Sequence, residues 1–298
     1  MKKGAKKMKR SNKKTVIISS ILLILCLSIL FTGCAHKNNN GFTSDKISPD
    51  WDSAKSGFST PVTNSNEYKK YLADAEEKQG KHVNSMSSSS GERPVDDMLE
   101  QSSVVVRGTV LGFDYLTIRH VDGSGDMLFT DYYVDVHETL RGEAETDENG
   151  LIRVRVMGGE NSTDIFINSG FSLKIGTECL FFLYKAGGGD YNTGEYGYYY
   201  PYASGAGVYV AGDNTVENDR GETVPETFTA YCNIRSEIEY LPFVEKLKEY
   251  NAEHPVDVYY VVNQIKQNWL ENVESGFLTQ EEYDRYMAES ELYATIVE

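Results

Sequence analysis

Apolar positions follow three regimes along this chain: an aperiodic apolar run, then a two-residue alternation, then a helical spacing. The run is Thr15–Cys34, TVIISSILLILCLSILFTGC; eight Lys and Arg with no acid precede it, and small residues end it directly before a cysteine. A basic region, an apolar region and a small-residue cleavage site are the three parts of a secretory signal. The uncharged segment falls at or slightly below the roughly 18–20 residues that span a bilayer, so cleavage is expected in place of an uncleaved anchor. From Ala35 to Pro61, Asn, Ser, Gly and Asp dominate, which predicts a flexible tether. Glu67–Gln79 carries a short helical face through Tyr68, Tyr71, Leu72 and Ala75. Lys81–Glu92, with its Ser87–Ser90 run, reads as linker, and Pro94 suits the first turn of a short helix, Val95–Gln101.

From Ser103 the period shortens. Val104–Val106 leads through Arg107-Gly108 into Thr109–Leu111, a buried strand with a glycine where a bulge or tight bend would sit. Tyr132–Leu140 alternates, with Tyr133, Asp135 and His137 on one side and Tyr132, Val134 and Val136 on the other. Ile152–Met157 alternates again, Arg153 and Arg155 outward. Cys179–Lys185 and Gly207–Ala211 are further strands, and Thr223–Ile234 reads as one more. Turn signals separate them: Arg141-Gly142, Asp147–Gly150, Gly158-Gly159 and Gly187–Asp190. This pattern favours a small antiparallel barrel or sandwich over a βαβ fold.

Helical spacing then returns. Ile238, Leu241, Val244 and Leu247 make one face, with Pro242 placing the helix start near Leu241. Pro255 opens a second helix with an apolar stripe through Val258, Val261, Val262, Ile265, Trp269 and Leu270, and Gly276 stops it. Thr279–Glu282 is a capping box for a third helix through Tyr283, Tyr286 and Met287.

Three resemblances follow from these residues. Leu30-Phe31-Thr32-Gly33-Cys34 resembles the lipobox of bacterial lipoprotein precursors, in which the cysteine sulfur receives diacylglycerol before cleavage; here Phe31 stands where that family usually carries Leu. That resemblance makes Cys34 the lipidated first residue of the mature protein, on the extracytoplasmic face of the cell membrane. The order VVVRGTV, YYVDVHETLRG, IRVRVMGGE, LKIGTECLFFLYK looks like the netrin-like module of the OB-fold class, over Ser103 to about Ala211. It also looks like the body of exported lipoproteins of low-GC Gram-positive bacteria. Some netrin-like modules inhibit metalloproteases through a free amino-terminal cysteine at the barrel edge; here that cysteine is the lipidated one and about seventy residues separate it from the first strand, so only the fold carries over. ENVESGFLTQEEYDRYM is similar to short carboxy-terminal helical hairpins with a Gly-x-Leu/Ile-Thr-x-Glu-Glu-Phe/Tyr core, usually read as oligomerisation or docking elements.

Charge narrows the partners. The chain has 29 Lys and Arg against 45 Asp and Glu, net −16; without the eight signal cations the balance is 21 − 45 = −24. Nucleic acid and anionic lipid both want clustered cations, so neither is an expected electrostatic partner. Two cysteines remain after Cys34, Cys179 and Cys232; export makes a bridge chemically allowed, while the apolar run around Cys179 makes a small buried hydrophobe the default.

No catalytic constellation is legible. His137 precedes Glu138, but neighbours on a regular strand point to opposite faces. No set of His, Cys, Asp and Glu has zinc-site spacing, and Asp122–Asp126 lacks the later ligands of a calcium loop and reads as a solvated hairpin turn. No cofactor is expected. Gly187–Val210 holds seven tyrosines among glycines. Such a stretch makes either an aromatic contact surface or an ordinary hairpin alternating across a sheet.

The sequence thus predicts a mainly β protein with α elements: residues 1–33 signal peptide, 34–93 tether with a short helix, 94–236 a small antiparallel OB-like barrel, and 237–298 a helical segment. The leading functional expectation is a non-enzymatic binding module at the cell envelope, anchored through Cys34. Its contact surface is Tyr191, Tyr196, Tyr198, Tyr200 and Tyr202, facing a glycan, peptide or protein. The alternatives are an envelope hydrolase with an unrecognised site, and a structural lipoprotein assembling through the helices from Leu241 onward.

Overall fold

The computed structural model describes residues 66–86, 94–168, 173–185, 193, 198–231, 236–290, 292 and 294–297. The signal, Cys34, the tether to residue 65, Tyr191, Tyr196 and Cys232 lie outside the described residues. In chain order the elements are α1 (Asn66–Gln79), β1 (His82–Met86), α2 (Val95–Gln101), β2 (Val104–Arg119), β3 (Asp126–Arg141), β4 (Leu151–Met157), β5 (Gly159–Glu160), β6 (Asp164–Asn168) and β7 (Glu178–Tyr184). Then come β8 (Tyr198–Pro201), β9 (Val208–Ala211), β10 (Thr215–Glu217), β11 (Thr223–Pro225), β12 (Thr227–Ala230) and β13 (Glu237–Glu239). The last are α3 (Tyr240–Glu253), α4 (Tyr260–Glu274), α5 (Gln280–Glu289) and β14 (Thr295–Ile296).

The protein is mainly β, built on one large mixed sheet with helices against it. β2 and β3 form a long antiparallel hairpin closed by a turn in which the Asp122 carboxylate accepts the Ser124 N–H at 2.7 Å and Gly123 adopts φ +73°. β4 pairs antiparallel with β3, and β8 runs parallel to β4 and antiparallel to β7. β7 returns to the first half of β2, Val104↔Leu183 through Thr109↔Glu178, so the pairings lead back to their start. β9, β12 and β13 extend the sheet from β7, and β14 caps the far end of β2.

This doubling back explains the continuous apolar runs. Val104 and Val106 of β2 and Cys179, Phe181 and Leu183 of β7 face one core, with Val134, Ile152, Val154 and Tyr199. Val105, Leu180 and Phe182 point the other way, into a second core beneath α2 and α3 that holds Met98, Leu99, Phe228, Tyr240, Phe243 and Leu247. A strand covered on both faces has no polar side, so its sequence reads as an unbroken apolar run.

Two expected boundaries are corrected. Residues 82–86 are strand where a linker was expected: β1 lies parallel to β6, His82↔Asp164 through Met86↔Asn168, with β5 on β6's other edge. An unpaired edge on β6 recruits a segment whose own alternation is weak. Ala75 is fully buried, and the Tyr71 hydroxyl and Lys81 ammonium both reach the Glu160 carboxylate. Part of the expected tether therefore packs on the body. The division at residue 236 also fails, because β13 pairs with β12 across it and α3 completes the second core.

Candidate functional site

β8 explains the fate of the tyrosines. A strand between β4 and β7 has no free edge, and side chains on both of its faces are covered. Tyr198 is 3% exposed, Tyr199 1% and Tyr202 9%. Tyr199 lies in the inner core, its hydroxyl accepting the Glu145 N–H at 2.7 Å, and Tyr202 lies in the core beneath the helices. Tyr200 stacks on Tyr184 at 5.8 Å between ring centroids and meets Tyr198 edge-on at 5.7 Å. Burial pushes the Tyr184 phenol up to about 12 and Tyr200 further still. Tyr198, Tyr200 and Tyr202 are therefore packing residues, not an open aromatic surface; Tyr191 and Tyr196 lie outside the described residues.

What Tyr198 covers is an ion pair that the alternation of β4 did not reveal. Arg155, expected outward, is completely buried, and its Nε and Nη2 each donate to one oxygen of Asp131 at 2.7 Å. Its guanidinium lies 4.1 Å from the Tyr198 ring centroid, and Nη1 donates to Thr193 Oγ1 at 2.9 Å. A planar guanidinium satisfied on its edge and capped on its face is a structural keystone.

A second polar cluster was missed for a different reason. Opposite Arg107-Gly108 the register of β3 slips, so that Arg107 pairs with Glu138 and Gly108 with Val136, leaving His137 as the extra residue. A bulge turns consecutive side chains toward one face. His137 Nδ1 comes within 3.4 Å of Arg107 Nη1, and Glu138 Oε2 within 3.9 Å of Arg107 Nε. The expectation that His137 and Glu138 point apart is thus corrected.

Arg107 Nη1 donates to Glu178 Oε1 at 2.5 Å and Nε to the Tyr240 hydroxyl at 3.0 Å, while that hydroxyl donates to Glu138 Oε2 at 2.7 Å. Burial opposes the Arg107 charge, but its hydrogen bond to Glu178 and the facing Tyr240 outweigh it and raise its pKa. Burial first, then the bond to Glu138, raise Tyr240. His137 Nδ1 is also 3.5 Å from Glu178 Oε1, and Nε2 3.9 Å from Asp135 Oδ2. The cluster fastens the first residue of α3 to the sheet and leaves one imidazole at the surface between two carboxylates. Among the described residues no group of three or more His, Cys, Asp and Glu is arranged to hold a metal ion. Cys179 is a buried free thiol whose pKa burial raises far above the ordinary range, which makes it inert as a nucleophile.

The third feature is the hairpin of α4 and α5. α4 starts at Tyr260, five residues after the Pro255 expected to open it, which leaves Val258 outside the helix. Its stop and the next cap lie where expected: Gly276 at φ +76° ends α4, and Thr279 caps α5 with its hydroxyl on the Glu282 N–H while Glu282 returns to the Thr279 N–H. Trp269 and Tyr286 join the two helices at 5.5 Å between ring centroids. Neither helix has a buried residue. Tyr259 is 63% exposed, Val258 47%, Ile265 44%, Phe277 43% and Leu270 38%. Among the described residues no helix is long and apolar enough to cross a membrane.

A scan of the chain against protein-family models finds no match, and a search of curated proteins finds none. The functional reading therefore rests on these three features.

Proposed function

We propose that this protein is a non-enzymatic interaction module of the cell envelope, held to the extracytoplasmic face by diacylglycerol on Cys34, with hairpin α4–α5 as its docking element. The observation that carries this reading is a helical hairpin whose two helices have no buried residue, with Ile265, Leu270 and Phe277 open to water and Val258 and Tyr259 exposed just before it. A group of exposed apolar side chains on an acidic protein marks an interaction surface. The docking role thus passes from the tyrosine stretch, whose described rings are packed, to the hairpin.

We further propose that the body is an OB-like barrel. Support comes from the strand circuit β2–β3–β4–β8–β7–β2, in which β4 and β8 are the parallel pair, and from the apolar core inside it. The barrel is the scaffold, and the helices are additions to its outer face. A second reading, an envelope hydrolase, draws on His137 lying between Glu178 and Asp135 at the surface.

One experiment separates these. A photoreactive residue is placed at Phe277, or at Asp135 beside His137, in the exported full chain. The docking reading expects a discrete adduct from position 277, none from 135, and loss of membrane retention on Cys34→Ala. Adducts confined to position 135 would shift the reading to the imidazole cluster, and membrane retention of Cys34→Ala would remove the lipid anchor.

A further inference from the structure

The hairpin that carries these apolar side chains is strongly acidic. Between residues 257 and 289, seven acidic residues against two basic ones, Lys266 and Arg285, leave a net charge of −5. Arg285 is already engaged, lying 5.1 Å over the Tyr286 ring and 3.8 Å from Glu289. The acidic field continues onto the body where α4 meets it, since the Tyr260 hydroxyl faces Glu100 and Asp97 of α2. The hairpin is held in place at both ends: α3 before it completes the core beneath the sheet, while Ser290 and Ala294 after it are buried and β14 pairs with β2.

This combination selects among occupants. A second copy would bring another −5 charge against the first, and like charges brought together at an interface disfavour the pairing. An anionic lipid surface repels the hairpin in the same way, so its apolar residues would not insert at low cost. A partner helix with apolar residues at i, i+3, i+4 and i+7 and Lys or Arg on its flanks satisfies both halves of the surface. We propose that the α4–α5 hairpin docks a cationic amphipathic segment of another protein, the apolar side chains of Ile265, Leu270 and Phe277 anchoring it and Glu271, Glu274 and Glu281 pairing with its cations. This inference rests on the docking reading above and names the partner chemistry at that same surface.

The test uses the full chain, lipid-anchored in nanodiscs of zwitterionic phosphatidylcholine and immobilised, with empty nanodiscs as the subtracted reference. The probe is a Leu/Lys peptide of about five helical turns with its leucines on one face; controls are the same composition scrambled and a Leu/Glu counterpart. The expected result is saturable binding of the amphipathic Leu/Lys peptide alone, weakening with salt. It should fall about tenfold or more in Glu271→Lys/Glu281→Lys and in Ile265→Gln/Leu270→Gln, with unchanged melting temperatures. Equal binding of the scrambled peptide, or insensitivity to these substitutions, would reduce the effect to non-specific attraction by an acidic protein and overturn the proposal. Co-purification of two differently tagged copies, lost in Ile265→Gln/Leu270→Gln, would put a second copy on the face; the cationic partner would then fall while the docking role stood. Lack of any binding, with a melting temperature lowered by Ile265→Gln/Leu270→Gln, would mean this chain's own residues cover the face, and the docking role would fall as well.

Discussion

Gly108 is where one residue controls the polar cluster. A Cβ there would meet the Asp135 carbonyl oxygen at 2.5 Å and Val134 Cγ1 at 2.7 Å, and backbone cannot swing aside as a side chain can. Gly108→Ala should destabilise by about 1–3 kcal/mol or more in urea titration, because β2 and β3 must spread; wild-type stability would show that the bulge absorbs the methyl. The glycine was legible as a bulge marker. The extra residue it accommodates, His137 on the opposite strand, was not, because register slips are set by pairing between distant segments. The Asp131–Arg155 pair gives a second test. Arg155→Met should cost about 3–5 kcal/mol by stranding a buried carboxylate, while Arg155→Met with Asp131→Leu should recover much of that loss. Equal losses in single and double variants would locate the stability in the Arg155 stem and its Tyr198 contact. Buried phenols set the alkaline limit. Tyr184, raised from 10.0 to about 12 by burial, contributes stability that is fully present below pH 10 and lost as pH climbs toward 12, since only the unfolded chain ionises in that interval. Circular dichroism should therefore be lost above pH 10, and the midpoint of that loss should move to higher pH in Tyr184→Phe; an unchanged midpoint would contradict the burial.

At the scale of elements, the best-read segments are those whose pattern is local. The short helix after Pro94 and the capping box at Thr279 stand where sequence placed them, because caps and turns depend on neighbours within four residues. Thr279→Ala should weaken α5 by about 1 kcal/mol, seen as faster amide exchange confined to residues 280–289; exchange accelerating across β2 as well would show the hairpin to be coupled to the sheet. The backbone N–H of Thr279, then its hydroxyl, hold the Glu282 carboxyl below 4.5, so its support for the cap is present above that pH and fades as pH falls below it. The worst-read segments are β1 and β8. Nothing in HVNSM marks a strand; the unpaired edge of β6 makes it one. Asn84→Pro, removing the next ladder donor after His82, whose N–H meets the Thr163 carbonyl, should free residues 66–86 to proteolysis while the melting of the main sheet stays in place; if the main sheet melts with it, α1 and β1 belong to the core.

For the whole molecule the governing fact is that one large sheet doubles back on itself and carries helices on its outside. That places two cores on the two faces of β2 and β7, and leaves α4–α5 as the one described helical hairpin with nothing buried. A protein so arranged concentrates its burial on the sheet and leaves the hairpin open to solvent. In cells, replacing Cys34 with Ala should move the protein from the membrane fraction to the medium or leave an unprocessed precursor, with loss of lipid labelling; unchanged fractionation and mobility would show an anchor other than acylation. Cys34→Ala should leave the urea midpoint of the body unaltered, because both described cores are built from residues after Pro94.

What the sequence by itself determined are the features written in short spacing or in gross composition: the acidic balance, the mainly β character, the helix caps and the apolar stripe of α4. Each follows from neighbours along the chain, or from charge, which needs no geometry. Only the tertiary structure decided which alternating faces are covered. Arg155 has the alternation of an outward residue and is the most buried cation in the described chain. Tyr198 and Tyr202 have the composition of a contact surface and are buried, Tyr198 on a strand between two others and Tyr202 in the core beneath the helices, whereas Ile265 and Phe277, apolar enough for a core, stay in water. The period of a strand or helix separates its two faces; which of them meets solvent depends on what the rest of the fold lays against it.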